Sequence, residues 1–276
     1  MHDDFRSQLI RLVALLEQRH GIGLPSGELP TWLEQRLTDV VRALLLARGI
    51  DVGSLLQLVE REPDLLVELA HAVCVGRTRF YRDAAQWEAL RCSVLPELWA
   101  RAPALQPLVA LSAGCSTGEE AWTLGMLLGA GAPRSVGAAH FRVIGVDRSA
   151  PALVTARSAT YDIGSPQHLP RELSQRFLRP AVDGSVSIVP ELRSLVTFQC
   201  HDLTLSVPPG PYAIIVCKNV LNHLASAAQT RLAQALLHSL THDGILLVAR
   251  TEVSLVRSLG AAVHEIAPNI TAFRTH

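Results

Sequence analysis

The chain has 276 residues, 49% hydrophobic and 18% charged, which suits one large or two modest domains around a sizeable core and excludes disorder as the main state. Lys+Arg and Asp+Glu each number 25, so no global field draws nucleic acid or an anionic membrane, and a charge-driven partner must be met by a local patch. Lys218 is the only lysine, so Schiff-base chemistry would rest on it alone; the remaining Lys+Arg positions are arginines, which keep their charge when buried.

The first residues begin with acids and carry charges throughout, unlike the basic start and uninterrupted apolar core of a secretion signal. Apolar residues recur there at helical spacing, at Phe5, Leu9, Leu12, Val13 and Leu16, and again at Trp32, Leu37, Val40, Val41, Leu44 and Leu45. This predicts a helical N-terminal domain over 1–82, with Gly21, Gly23 and Pro25 separating its first two helices, Gly49 ending the second and Pro63 starting another. Arg36, Arg42 and Arg48 on the second helix read as a solvated face, with acidic receptor helices as the alternative partner. A linker over 83–106 follows, most of it a helix over 84–99.

From Pro107 the pattern changes to short apolar runs, PLVALSA, FRVIGVD, LVTFQC, YAIIVC and GILLVA, alternating with helical stretches. That alternation predicts an α/β domain over 107–276, a parallel sheet with helices on both faces. The runs are far below the ~20 residues a membrane span needs, so no membrane insertion is expected. The polar stretch 161–195 reads as a small inserted subdomain in which RELSQRF is a short helix and DGSVSIV a turn entering a strand. AAVHEI and NITAFR read as a closing hairpin. Five cysteines without a CxxC pair argue against a disulfide framework or zinc site and for a reducing cytoplasm. No HExxH occurs and no metal site is expected; His201, His238, His242 and His264 read as ordinary residues.

The strongest local signal is LSAGCSTGEEAWTLGMLL at 111–128, a strand, a loop of small residues and a helix. Such a loop lets a ligand lie against backbone at the carboxyl end of a strand. Glu119 and Glu120 would repel a phosphate, and no Gly-Lys-Ser/Thr ending follows; the acids suit a cationic ligand, a sulfonium with an α-ammonium group. The spacings Ser116 to Glu119 and Thr117 to Glu120 also fit a capping box, so either glutamate could be spent on the helix start. Asp147 ends FRVIGVD, where a nucleotide-binding fold places the acid that grips ribose hydroxyls.

These segments, with TRFYRD at 78–83, ALVTARSATY at 152–161, FQCHDL at 198–203, CKNVLNHL at 217–224 and DGILLVARTE at 243–252, resemble the CheR-type chemotaxis receptor methyltransferases over nearly the whole chain. The resemblance implies a Rossmann-like methyltransferase sheet with an all-helical N-terminal domain and a small inserted β-subdomain. It implies S-adenosylmethionine as cofactor and S-adenosylhomocysteine as product, and a chemoreceptor or related signalling protein as partner. The implied product is a γ-glutamyl methyl ester. Carried over by position, Arg82 is the active-site arginine with Thr78 beside it, Ala113 and Gly114 belong to the cofactor loop, and Glu119 meets the methionine ammonium. Asp147 meets the ribose, Asp202 and Leu203 the adenine edge, and Asn219 and Val220 line the site. The tyrosine that the family sets beside the transferred methyl is His223 here.

A glutamate carboxylate, with an unperturbed pKa of ~4.3, is already the nucleophile at neutral pH, so a general base is not required. Other departures are Asp202 for a common asparagine, Lys218 for arginine, and Ala249 and Arg250 for Gly-His, with Glu252 retained. The short stretch between Phe177 and Ser187 points to a member that needs no tethering peptide. Two other readings stay open: a degenerate module that binds S-adenosylmethionine or its product and regulates a partner, and a methyltransferase with a changed acceptor.

Overall fold

A computed structural model of the protein describes residues 2–20, 31–62, 65–66, 69, 78–101, 106–133, 141–181 and 184–274. Contacts divide the chain into two compact units, Met1–Gly76 with Leu221–Arg231, and Arg77–Val220 with Leu232–His276.

The first unit contains helices α1 (His2–His20), α2 (Thr31–Arg48) and α3 (Leu55–Arg61). Leu9, Leu12, Val13 and Leu16 form one buried face of α1, because residues three and four apart stack on a helix, and they pack with Leu37, Val41, Leu55 and Val59. Helix α2 stops where Gly49 takes a positive φ of 62°. Arg48 grips Glu62 through both terminal nitrogens at 3.0 Å, and the Arg42 guanidinium lies over the Phe5 ring at 5.4 Å. Both arginines therefore have partners on their own unit. The Arg36 side chain, the break expected at Gly21, Gly23 and Pro25, and the helix start expected at Pro63 lie outside the described residues.

The second unit opens with α4 (Ala84–Ala89), a π-helical segment over Leu90–Val94, and α5 (Leu95–Arg101). One regular helix is expected here, and the widened turn has a local cause. Pro96 has no N–H to offer the Cys92 carbonyl, so the ladder shifts just before it. There follow β1 (Leu108–Ala113), α6 (Glu119–Gly131), β2 (Phe141–Asp147), α7 (Ala150–Ser158) and β3 (Thr160–Asp162). The chain continues through α8 (Arg171–Phe177), β4 (Leu178–Pro180), β5 (Ser185–Ile188), α9 (Pro190–Arg193), β6 (Val196–Cys200) and β7 (Tyr212–Cys217). Helix α10 (Ser226–His238), whose residues up to Arg231 group with the first unit, β8 (Leu240–Val248), α11 (Val253–Ser258) and the hairpin β9 (Ala262–Ala267) and β10 (Ile270–Arg274) complete the chain.

Seven strands form one sheet in the order β6-β2-β1-β7-β8-β10-β9, with parallel pairing from β6 to β8 and antiparallel pairing of β10 with both neighbours. Strand β7 is buried along its whole length and β1 almost so, as expected of central strands covered on both faces, whereas the edge strand β6 exposes most of its residues. The architecture is α/β and Rossmann-like. The insert forms its own antiparallel sheet, β3-β5-β4, and RELSQRF is helix α8. Among the described residues no helix is long and apolar enough to cross a membrane.

Candidate active site

Parallel pairing brings the ends of four strands to one edge of the sheet. Ala113 is paired with Val146, Ser112 with Val216 and Asp147 with Cys200, so the loops after β1, β2, β6 and β7 leave from the same side. Gly114 and Cys115 both donate from backbone N–H to the Val146 carbonyl, at 2.8 and 2.9 Å. Gly114 takes a φ of 79°, and a Cβ there would come within 2.4 Å of Val220 Cγ2. The glycine loop thus lies directly against the loop after β7.

Asp147 is fixed by its own surroundings. Its Oδ2 accepts from Ser116 N at 2.8 Å and its Oδ1 from Ser149 N at 2.9 Å, which orients the carboxylate and leaves lone pairs for a ligand. Asp202 is drawn into a turn, where Oδ1 accepts from both the backbone N and the hydroxyl of Thr204. Leu203 sits in that turn, partly exposed. Asn219 has a φ of 59°, and its N–H donates to Glu252 Oε2 at 3.1 Å, an oxygen that also accepts from Ala249 N at 2.9 Å. Glu252 so ties the end of β7 to the end of β8.

The two acids of the first loop part company. Helix α6 starts from Gly118, which makes no side-chain cap bond, so neither capping-box alternative forms. Glu119 is buried and accepts from Thr117 Oγ1 at 2.7 Å; burial raises its carboxyl above the ordinary range. Glu120 instead turns back into the protein. Its Oε1 accepts from Ser112 Oγ at 2.9 Å and its Oε2 lies 3.9 Å from Lys218 Nζ. Burial pushes Glu120 up to about 7, against the pull of Lys218. Of the two acids expected to suit a cationic ligand, Glu120 already has a cation of the protein's own.

Arg82 rides on a strained turn. Tyr81 and Asp83 on either side of it have φ of 57° and 61°, and with Ser116 and Asn219 they place four non-glycine residues of positive φ around this edge. Phe80 and Tyr81 are buried anchors, and Tyr81 N–H donates to Thr123 Oγ1, which itself donates to the Glu119 carbonyl. Thr78, Arg82 and Glu119 line a cavity of about 420 Å³ together with Arg79. The same cavity is lined by Gly164, Ser165, Gln167 and His168 of the insert, residues whose polar, turn-like segment carried no functional signal in the sequence. Ala113, Gly114, Asp147, Asp202, Leu203, Asn219 and Val220 lie at the sheet edge and are not among the described lining residues. His223 sits in the short 3-10 turn Leu221–His223, in the part of the chain that groups with the first unit.

The edge fits an adenosyl compound by its own chemistry. Ser116 Oγ and Asn219 Oδ1 are buried without a hydrogen-bond partner in the protein, a costly state that ligand hydroxyl or amino groups would relieve. Burial raises the Cys115 and Cys217 thiols, so neither is a ready thiolate nucleophile. Among the described residues no group of three or more His, Cys, Asp or Glu is placed to hold a metal ion.

The family model "CheR methyltransferase, SAM binding domain" matches residues 76–259. The chemotaxis protein methyltransferase of Listeria monocytogenes is 27% identical over 203 residues, 74% of this chain and 75% of that protein. Chemotaxis protein methyltransferase Cher2 of Pseudomonas putida is 26% identical over 244 residues, 86% of each chain, and chemotaxis protein methyltransferase 1 of Pseudomonas aeruginosa is 27% identical over 243 residues, again 86% of each. Since the matched domain takes in the glycine loop, Asp147, Asn219 and the Arg82 turn, the chain belongs to the CheR family of methyltransferases, with S-adenosylmethionine as its cofactor.

Proposed function

We propose that the protein is a cytoplasmic O-methyltransferase that forms γ-glutamyl methyl esters on a chemoreceptor or a related signalling protein. The observation that carries this reading is the cavity that joins Arg82 to the buried Glu119. S-adenosylmethionine, when bound, supplies an electrophilic methyl group on a sulfonium sulfur. Glu119 would hold the α-ammonium group, and a cation against it would draw its raised carboxyl back to the ionised form. Asp147 would accept from ribose hydroxyls, the Asp202–Leu203 turn would border the base, and Asn219 and Val220 would line the site. Thr78 and Arg82 would serve the reacting end, where a planar guanidinium can grip one carboxylate and orient another.

The acceptor needs little chemical help. A glutamate carboxylate is ionised at neutral pH, so the protein's task is to desolvate it and align it for displacement, and orientation can contribute ~7–11 kcal/mol in favourable cases. The chain from β4 to β5 spans only 181–184, which supports action without a tethering peptide. Incubation with labelled S-adenosylmethionine and the organism's receptor fraction tests the reading. A base-labile ester on receptor glutamates is expected, and its absence with cofactor bound would overturn it.

A second reading has one observation in its favour. His223 stands where the family sets a tyrosine beside the methyl, and an imidazole reaches less far and titrates near pH ~6.5 in its unperturbed form. A module that binds the cofactor and regulates a partner without catalysis would keep Asp147 and lose this residue. His223→Tyr separates the two: raised receptor methylation marks a decayed site, and lowered methylation marks a specialised enzyme.

A further inference from the structure

We propose that Gln167 and His168, on the loop after β3, form the acceptor wall of the Arg82 cavity and select a carboxylate side chain. The proposal rests on the reading of this cavity as the methyl-transfer site. The loop is fixed at its base and presented at its middle. Ser165 N–H donates to the Asp162 carbonyl at 2.8 Å, Gln167 N–H to Gly164 at 3.3 Å and Leu169 N–H to Pro166 at 2.8 Å, and the Leu169 side chain is buried. These turns hold the backbone while Gln167 and His168 stay exposed.

Burial is graded along the cavity lining. Glu119 is buried, Arg82, Thr78 and Ser165 are partly exposed, and Arg79, Gln167 and His168 are exposed. The buried residue is also the one acid among the described lining residues. The exposed ones are all able to donate hydrogen bonds. Gln167 Nε2 stands 3.3 Å from His168 Nε2. An amide nitrogen only donates, so in this pairing the imidazole Nε2 accepts and Nδ1–H is left as a donor. The exposed part of the lining offers a guanidinium, an amide and an imidazole beside the less exposed Arg82. Two cationic guanidiniums with these donors suit an anionic side chain, which gains charge-assisted hydrogen bonds, over its neutral amide, which forgoes them.

The test uses the whole protein, S-adenosylhomocysteine, and the purified cytoplasmic fragment of a chemoreceptor from the same organism. A second fragment carries glutamine at the methylated glutamates. Gln167→Ala, His168→Ala and the double variant are compared with the parent by calorimetry and by initial rates of ester formation. Both side chains are exposed, so the variants are expected to fold. The expected result is a receptor Kd and KM raised about tenfold in the double variant, with kcat and the S-adenosylhomocysteine Kd within about twofold, and a reduced preference for the glutamate fragment over the glutamine one. A weakened S-adenosylhomocysteine affinity would place the pair on the cofactor side and overturn the proposal. An unchanged receptor Kd would overturn it equally, leaving the loop a solvated lip. A parent protein that binds both cofactor product and receptor but transfers no methyl group would refute glutamate methylation alone, and the fragment affinities would still decide the role of Gln167 and His168.

Discussion

Lys218 Nζ donates to the carbonyl oxygen of Arg82 at 2.9 Å, joining the end of β7 to the turn that carries the cavity arginine. The ammonium also lies 4.4 Å from the centre of the Trp87 ring, 3.7 Å from Asp83 Oδ2 and 3.9 Å from Glu120 Oε2. Burial lowers its pKa, and the two carboxylates oppose that shift. Removing the ammonium deprives the Arg82 carbonyl of a buried charged donor, a hydrogen bond that contributes about 1.5–3 kcal/mol, while Glu120, already raised to about 7, takes up a proton and does not stay as an unpaired charge. Lys218→Met is therefore expected to lower the unfolding free energy by about 1.5–3 kcal/mol, and Lys218→Arg, which keeps the charge, by clearly less. Urea titrations of the three proteins check this, and equal losses for Met and Arg would mean that shape, not charge, holds the turn.

Glu120 makes stability depend on pH. Its carboxyl rises from 4.5 in the unfolded chain to about 7 in the folded one, chiefly through burial. Between those values the folded protein holds a proton that the unfolded chain has released, so this group's contribution to stability falls as pH rises and levels off above about 7. Glu120→Gln removes the titration while keeping an acceptor for Ser112. Relative to this variant, the parent is expected to lose stability from about pH 5 to about pH 8. Glu119 is common to both proteins and largely cancels in the difference. Denaturation curves at the two pH values measure it, and parallel behaviour would show that Glu120 ionises freely.

Much of the framework around the candidate site was legible in the sequence because it is built from local patterns. The strand-loop-helix at 111–128, the Asp147 strand end and the RELSQRF helix each declare themselves by periodicity and by small or turn-forming residues within one window. What could not be read are contacts between distant segments. Nothing near Lys218 in sequence announces Trp87, Asp83 or Glu120 as its neighbours, and so Glu120 read equally well as a cap. The Gly164–His168 lining was hidden for another reason. A polar loop without periodicity looks the same whether its side chains face solvent or a cavity. The start of strand β8 at Leu240, before the GILLVA run, was hidden because its first residues, Leu240 to Asp243, are mostly polar and resemble a turn.

Asp147 and Arg82 are expected to fail differently. Asp147→Asn keeps one acceptor but sets an amide NH2 against a backbone N–H, at Ser116 or at Ser149, and Asp147→Ala removes both bonds. Charge-assisted hydrogen bonds contribute about 1.5–3 kcal/mol each, so either change is expected to weaken S-adenosylhomocysteine binding by tenfold or more, on the order of that energy. Arg82→Ala is expected to lower kcat more than it lowers that affinity, because the role proposed for it is to grip and orient a carboxylate at the reacting end. Calorimetry beside steady-state rates separates the two patterns. Unchanged transfer by Arg82→Ala would remove it from the catalytic machinery.

Gly114 offers a test of the cofactor edge that does not depend on activity. Its φ of 79° is strained for any residue with a Cβ, and that Cβ would lie 2.4 Å from Val220 Cγ2. The left-handed backbone costs about 1–2 kcal/mol for an ordinary residue, and forcing a methyl group into occupied space costs about 1–3 kcal/mol more. Gly114→Ala is thus expected to destabilise the protein by about 2–5 kcal/mol. Val220→Ala in the same chain clears the Cγ2 contact but leaves the backbone strain, so the double variant should recover the steric share only. Urea denaturation of the four members of this cycle measures the coupling between the two positions. A purely additive cycle would mean that the loops after β1 and β7 do not touch at Gly114 and Val220, and the bare-backbone edge on which the cofactor is placed would have to be redrawn.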